Sequence, residues 1–237
     1  MNVATFALRV THAIGIDAAT ANSATSQEYT LFLSWLNEGV VQFLRKTKVY
    51  KRTASMTLTV DEGDYAIDSD ILAFEDVSYT PASGGQPRSL TQIDTWQIRD
   101  MRLLAAVSTD PLYYSYEGQT IMLYPTPLSS SDTLHILYVP RPTALAATAD
   151  NPSGGSFGGI PEEYHPVIEA YVKWKAGEHA NDKASGNGQA FKQEWESGVV
   201  DARVAELRKA GMRIGSVNIG RGRNWRSLAG PGVDLGG

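Results

Sequence analysis

The chain has 237 residues, of which 42 % are hydrophobic, 20 % charged and 9 % aromatic. That length leans to one large or two small domains burying roughly 70–75 % of the unfolded surface, which excludes disorder throughout. No apolar run approaches the roughly 18 residues of a bilayer span, and Arg9 and His12 break the N-terminal stretch where a signal peptide needs unbroken apolar character, so the chain is expected to be soluble and unexported, with no membrane partner. With no cysteine and four histidines, disulfide frameworks, thiol nucleophiles, iron–sulfur ligation and Cys-based zinc sites are excluded, and few metal ligands remain.

The net charge of −5 hides an asymmetry: residues 211–237 hold Arg213, Arg221, Arg223 and Arg226 against Asp234, which makes the tail +3 and the remaining chain −8. A basic arm on an acidic body points to a partner for the arm itself, nucleic acid or an acidic protein surface. Two further blocks stand out, five bases over residues 45–52 and seven acids over 61–76. They either face each other, within or between subunits, or form two solvated faces.

In chain order, residues 3–14 read as a short helix with Phe6, Val10 and Ile14 on one face, followed by the small, polar connector IDAATANSATS. From Ser26, a candidate N-cap, Tyr29, Phe32, Leu33, Leu36, Val40, Phe43 and Leu44 recur at helical spacing to about residue 46. Between 53 and 140 the period changes to two, and ASMTLTV, DYAID, FEDVSYT, PLYYSY, TIMLYP and DTLHILYV read as short strands of a mainly antiparallel sheet. Glu62-Gly63 and Glu117-Gly118 are candidate hairpin turns, because glycine supplies the positive φ of a tight reversal. The stretch SLTQIDTWQIRDMRLL reads as a short helix with Ile93, Trp96 and Met101 inward. After Pro140-Arg141-Pro142 the glycine, serine and proline content forbids regular structure until Pro161, which is expected at the first helical position with Glu162 and Glu163 against the positive end of the dipole. That helix presents Tyr164, Val167, Ile168, Tyr171, Val172 and Trp174, and a last helix over 189–210 presents Phe191, Trp195, Val199, Ala202 and Leu207, with Gly211 as C-cap. The tail over residues 211–237 has eight glycines and no periodicity, so in free solution it is expected to be mobile. Helices flanking a β-rich middle make the chain α+β.

Motifs that could carry chemistry are weak in context. Gly154-Gly155-Ser156-Phe157-Gly158 matches G-x-S-x-G, yet an elbow needs a strand before the serine and a helix after it, and here a Pro-Ser-Gly loop precedes and Gly159-Ile160-Pro161 follows. Glu162-x-x-His165 has the i, i+3 spacing of carboxylate-bridged di-iron helices, without the second such pair or the further glutamates that site requires. The acidic run from Asp61 to Asp70 lacks the ordered spacing of a calcium loop. No phosphate-cradling loop is present, and the two carboxylates at Glu162 and Glu163 occupy the place an anion would take. What remains is Arg221-Gly222-Arg223-Asn224-Trp225-Arg226: arginine and tryptophan are enriched at protein hot spots and also serve single-stranded nucleic acid. The acidic body leans against the nucleic-acid reading, because such binding rests on phosphate neutralisation. No catalytic residue, metal or cofactor is expected.

The order of segments carries a likeness that no single motif does. The helix EYTLFLSWLNEGVVQFLRKT with its Leu36-Asn37-Glu38-Gly39 step, GDYAIDSDILAFEDVSY with the turn from Tyr65 to Asp70, YEGQTIMLYPTP, LHILYVPRP, and the helix start Pro161-Glu162-Glu163-Tyr164-His165 follow one another over residues 1 to about 210. This succession resembles the head-to-tail connector (adaptor) proteins of tailed bacteriophages. The resemblance implies a virion protein of the head–tail junction, assembled in the host cytoplasm as a homo-oligomeric ring, commonly of about twelve subunits. The ring would sit between the portal protein and the tail or other neck proteins, with DNA only in transit through its lumen. The expected organisation is a helical bundle from 1–50 and 160–210, the second part preceded by a loop from 146, an inserted antiparallel β-rich domain at 51–145, and an extended C-terminal arm at 211–237; such adaptors often extend this arm to the portal, and Arg213, Arg221, Arg223, Trp225 and Arg226 are the candidate contacts. A nucleic-acid-binding accessory protein using the same arm is the alternative. Trp35 and Trp174, lying beside the apolar stripes of their helices, are expected to meet a neighbouring subunit.

Overall fold

The computed structural model describes residues 1–14, 27–104, 108–179 and 187–209. The first helix, α1 (Val3–Ile14), starts where Asn2 caps it: Asn2 Oδ1 accepts from the Thr5 N–H at 3.0 Å and from the Thr5 hydroxyl at 2.8 Å. Phe6 and Val10 are buried as their spacing predicts. The second helix, α2 (Gln27–Thr47), buries Tyr29, Phe32, Leu36, Val40, Phe43 and Leu44 along one stripe; its expected cap, Ser26, lies outside the described residues. It ends where Lys48 turns left-handed (φ 57) and returns its N–H to the Leu44 carbonyl at 2.9 Å.

All six expected strands are present: β1 (Arg52–Thr57), β2 (Asp64–Ala66), β3 (Ile71–Thr80), β6 (Tyr113–Glu117), β7 (Thr120–Tyr124) and β8 (Thr133–Pro140). Two more, β4 (Arg88–Ser89) and β5 (Thr91–Gln92), are two residues each, too short for a period to register, and precede α3 (Thr95–Leu104). The strands form two sheets rather than one, in the orders β1-β8-β3-β4 and β2-β7-β6-β5, antiparallel except for β5 beside β6. The Gly118 hairpin between β6 and β7 forms with φ 61, as expected of that glycine. Glu62-Gly63 makes no hairpin, because β1 pairs with β8 and β2 with β7, so this turn carries the chain from one sheet to the other. The left-handed residue of that turn is Asp61 (φ 60). Val77, Tyr79, Leu134 and Ile136 of one sheet and Ile121 and Leu123 of the other share one apolar core, each set following the alternation of its strand. At the edge of that core the Tyr79 hydroxyl lies 2.7 Å from buried Asp132 and 3.1 Å from Asp110, and burial followed by these two carboxylates pushes its pKa up.

The segment 141–161 contains no helix or strand, as its composition requires. It is tied to α2 by Asn37, whose side-chain amide donates to the Leu145 carbonyl at 3.0 Å and accepts the Leu145 N–H at 2.7 Å. Pro161 stands one position before the helical turn instead of opening it. Glu162–Tyr164 form a single 3-10 turn, and α4 (His165–His179) begins after it. The last helix, α5 (Asn187–Lys209), buries Trp195, Val199 and Ala202; its expected cap, Gly211, lies outside the described residues.

Helices α1, α2, α4 and α5 share a second core, in which Trp195 packs edge-on to Tyr171 with ring centroids 4.9 Å apart and beside Phe43 at 6.2 Å. Close approach sets two of these crossings: a Cβ at Gly39 would lie 2.9 Å from the Tyr171 ring, and one at Gly198 would lie 2.6 Å from Val167. The chain is therefore α+β, with five helices and two antiparallel-rich sheets among the described residues. The basic and acidic blocks meet within one chain at Glu75, which holds Lys48 at 3.2 Å and Lys51 at 3.6 Å.

Candidate partner-binding surface

Among the described residues, the most exposed large apolar side chains stand together on the outer face of α3. The helix starts at Asp94, whose N–H donates to the Gln97 side-chain oxygen at 3.0 Å, one half of a capping box. Its inner face is fixed to the β2-β7-β6-β5 sheet. Ile98 is fully buried, the Thr95 and Ser115 hydroxyls are 2.8 Å apart, and Arg102 donates to the Gly63 carbonyl at 2.8 Å, to the Leu123 carbonyl at 3.0 Å and to Asp64 at 2.8 Å. Arg99 pairs with Glu117 at 2.7 Å on the flank. The outer face presents Trp96, 61 % exposed, with Leu103 and Leu104 at 85 % and 86 %. These positions are seven and eight residues apart, which returns them to one side of a helix, with Asp100 between them.

This corrects the expected orientation of the helix. Trp96 faces out, Ile93 and Met101 are half-buried, and the inward anchor is Ile98. With about 100° per residue, position 96 lies some 200° from position 98, so burying Ile98 against the sheet turns Trp96 to solvent. Ile93, Trp96, Gln97, Asp100, Met101 and Tyr113 line a shallow groove of about 300 Å³ along this face. An open groove does not enclose a small ligand, whereas an exposed patch of large apolar residues suits a macromolecular partner. The part of the chain that carries this helix is acidic: residues 51–140 hold twelve acids against five bases, a net −7 out of the −8 outside the tail.

Trp35 and Trp174 are each partly buried against side chains of their own chain. Trp35 is half-buried against the helical core with its ring 5.5 Å from that of His179. The Trp174 indole N–H donates to Glu178 at 2.8 Å, and Lys175 and Lys192 stand over the ring at 4.7 and 5.2 Å. Sequence spacing placed both beside their stripes, but only the fold supplies the side chains packed against them.

The residues of the weak motifs are not brought together. Ser156 is exposed in a run of turns, where its carbonyl accepts from the Thr143 N–H at 2.8 Å, so no nucleophile elbow exists. Glu162 is exposed and pairs with the N-terminal ammonium at 2.9 Å, which holds its carboxyl below the usual range. His165 is fully buried, with Nε2 at 3.1 Å from the Ser153 hydroxyl and 3.3 Å from the Ile160 carbonyl, and Nδ1 without a partner. Desolvation, then the nearby ammonium, lowers its pKa. In the acidic run, Asp61 accepts from the Ser108 hydroxyl and Asp64 from Arg102. Among the described residues no three such side chains cluster as metal ligands, and no helix is long and apolar enough to cross a membrane.

Arg213, Arg221, Arg223, Trp225 and Arg226 all lie outside the described residues. No curated protein matches the chain. The family model described as SU10 adaptor protein matches residues 1–220, which takes in Arg213 and stops short of Arg221, Arg223, Trp225 and Arg226. With nearly the whole chain matched, and with the segment order that resembles phage connectors, the chain belongs to the SU10 adaptor protein family and is a structural adaptor of bacteriophage virions.

Proposed function

We propose that the chain assembles into a homo-oligomeric ring at the head–tail junction, commonly of about twelve copies in the connectors it resembles, joining the portal protein to the tail or other neck proteins. In this reading the helical core forms the ring body, the β-rich part projects from it, and the C-terminal arm from residue 211 docks on the portal through Arg213, Arg221, Arg223, Trp225 and Arg226. DNA passes through the lumen without being held. The observation that carries the reading is the adaptor family match over residues 1–220. The net −8 outside the tail supports transit over binding, since an acidic body works against the phosphate neutralisation that nucleic-acid binding rests on. An arm with four arginines and one tryptophan supports docking on protein carboxylates, which a planar guanidinium grips with two hydrogen bonds.

The test is the mass of the protein in solution by light scattering, alone and beside an isolated portal ring, for the full chain and for a chain ending at residue 211. Ring formation with the full chain and loss of portal attachment in the shortened one is the expected result. A protein that stays monomeric at high concentration and also beside the portal overturns the reading. If the deletion instead spares portal attachment and abolishes a steeply salt-dependent DNA affinity, the arm is a nucleic-acid-binding element.

A further inference from the structure

In the free chain the outer face of α3 is apolar and exposed. Trp96, Leu103 and Leu104 stand together at 61 %, 85 % and 86 % exposure, and clustered large apolar side chains left in water favour whatever can cover them. The central residue of the stripe, Asp100, has no ion pair among the described residues, whereas Glu117 and Asp64 are already paired with Arg99 and Arg102 of the same helix. The occupant that fits is therefore apolar and basic.

One segment of this chain has that chemistry. The 28 residues after Lys209 include Ile214, Val217, Ile219, Trp225 and Leu228 together with Arg213, Arg221, Arg223 and Arg226, for a net +3. Residues 1–50 and 141–210 are close to neutral, at +1 and −2, so the −7 of residues 51–140 is the chain's own electrostatic complement to that segment. Length permits the contact: 28 residues reach roughly 90 Å when extended, about twice the ~45 Å width of a compact chain of this size. Tethering favours it too, because a segment joined to its own target meets it at an effective concentration near the millimolar range, far above that of a second copy in dilute solution.

We propose that in the free protein residues 210–237 dock on the α3 face of their own chain, with an apolar side chain over the Trp96–Leu103–Leu104 stripe and arginine at Asp100. The segment thereby covers the apolar stripe until a virion partner engages it. The inference stands on the α3 geometry and the charge distribution, and no portal is present in its test, so its failure and that of the portal reading are distinguishable.

The absence of cysteine makes the test clean, since one introduced thiol is the only one. Leu103→Cys and, separately, Leu104→Cys are placed in the full-length chain, and the rate of maleimide modification is measured at micromolar protein. The same variants are then measured with Arg221, Arg223 and Arg226 all changed to Glu. Docking predicts modification about tenfold slower with the native arm, the protection expected when a millimolar effective concentration meets an affinity a tenth of that. The difference should shrink at about 1 M salt, where screening reaches about 3 Å. Ser55→Cys on β1 should label alike in both backgrounds. Equal rates at both leucine positions overturn the proposal. Protection that appears only as protein concentration rises also overturns it, since the occupant is then the segment of a second copy.

Discussion

The Arg102 guanidinium donates to the Gly63 carbonyl at 2.8 Å, in a space that a Cβ on Gly63 would fill. A reversal glycine would be valued for its backbone freedom, yet Gly63 is not among the residues with positive φ, and its role is to leave room for a side chain of α3. Gly63→Ala should therefore dislodge Arg102, and Arg102→Ala should remove the same three contacts. Hydrogen bonds from a charged group to carbonyl oxygens support a loss of about 2 kcal/mol for either change, or roughly 4–8 °C in thermal midpoint for a chain of this length. Calorimetry checks this, and the two changes together should cost little more than one alone.

Buried His165 gives the fold a pH dependence of known sign. Desolvation and the N-terminal ammonium lower its pKa, while Glu162 opposes them in part. The unfolded chain therefore takes up a proton near pH 6.5 that the folded chain resists. The stabilisation is complete above that pH and is lost progressively as pH falls from there toward the folded-state pKa. Thermal midpoints between pH 7.5 and 5 should fall more steeply for the native chain than for His165→Gln. Parallel curves would show that carboxylates alone set the slope.

Glu169 is buried on α4 and faces Lys173 at 2.6 Å and Arg9 of α1 at 3.5 Å. Lys173→Met leaves that carboxylate with its distant, half-exposed partner only. The cost should be about 2–3 kcal/mol in urea unfolding, below the 3–5 kcal/mol of a fully buried pair. Adding Glu169→Gln should restore most of it, because the penalty lies in the unpaired charge.

Gly198 sits where α5 crosses α4, and a Cβ there meets Val167 at 2.6 Å. Alanine normally favours a helix over glycine by about 1 kcal/mol, so the sign of Gly198→Ala reports the crossing. We expect net destabilisation of about 1–2 kcal/mol, in the range for overpacking. Val167→Ala in the same chain should recover part of it, measured by denaturant midpoint.

The alternation of β3 and β8 and the 3.6-residue stripes of α1, α2 and α5 were legible in the sequence alone, because periodicity is local and each pattern needs only one buried face. So were the Gly118 hairpin and the irregular segment 141–161, set by glycine and proline chemistry. Partner choice was not legible. β1 pairs with β8 across some eighty residues of chain, Arg52 opposite Tyr138 and Thr57 opposite Thr133, and alternation states which side of a strand is apolar without naming the strand beside it. The orientation of α3 shows the same limit: the helix has apolar residues on both sides, Ile98 on one and Trp96, Leu103 and Leu104 on the other. Only the sheet that receives Ile98 and the carbonyls of Gly63 and Leu123 that receive Arg102 decide which side is left to a partner.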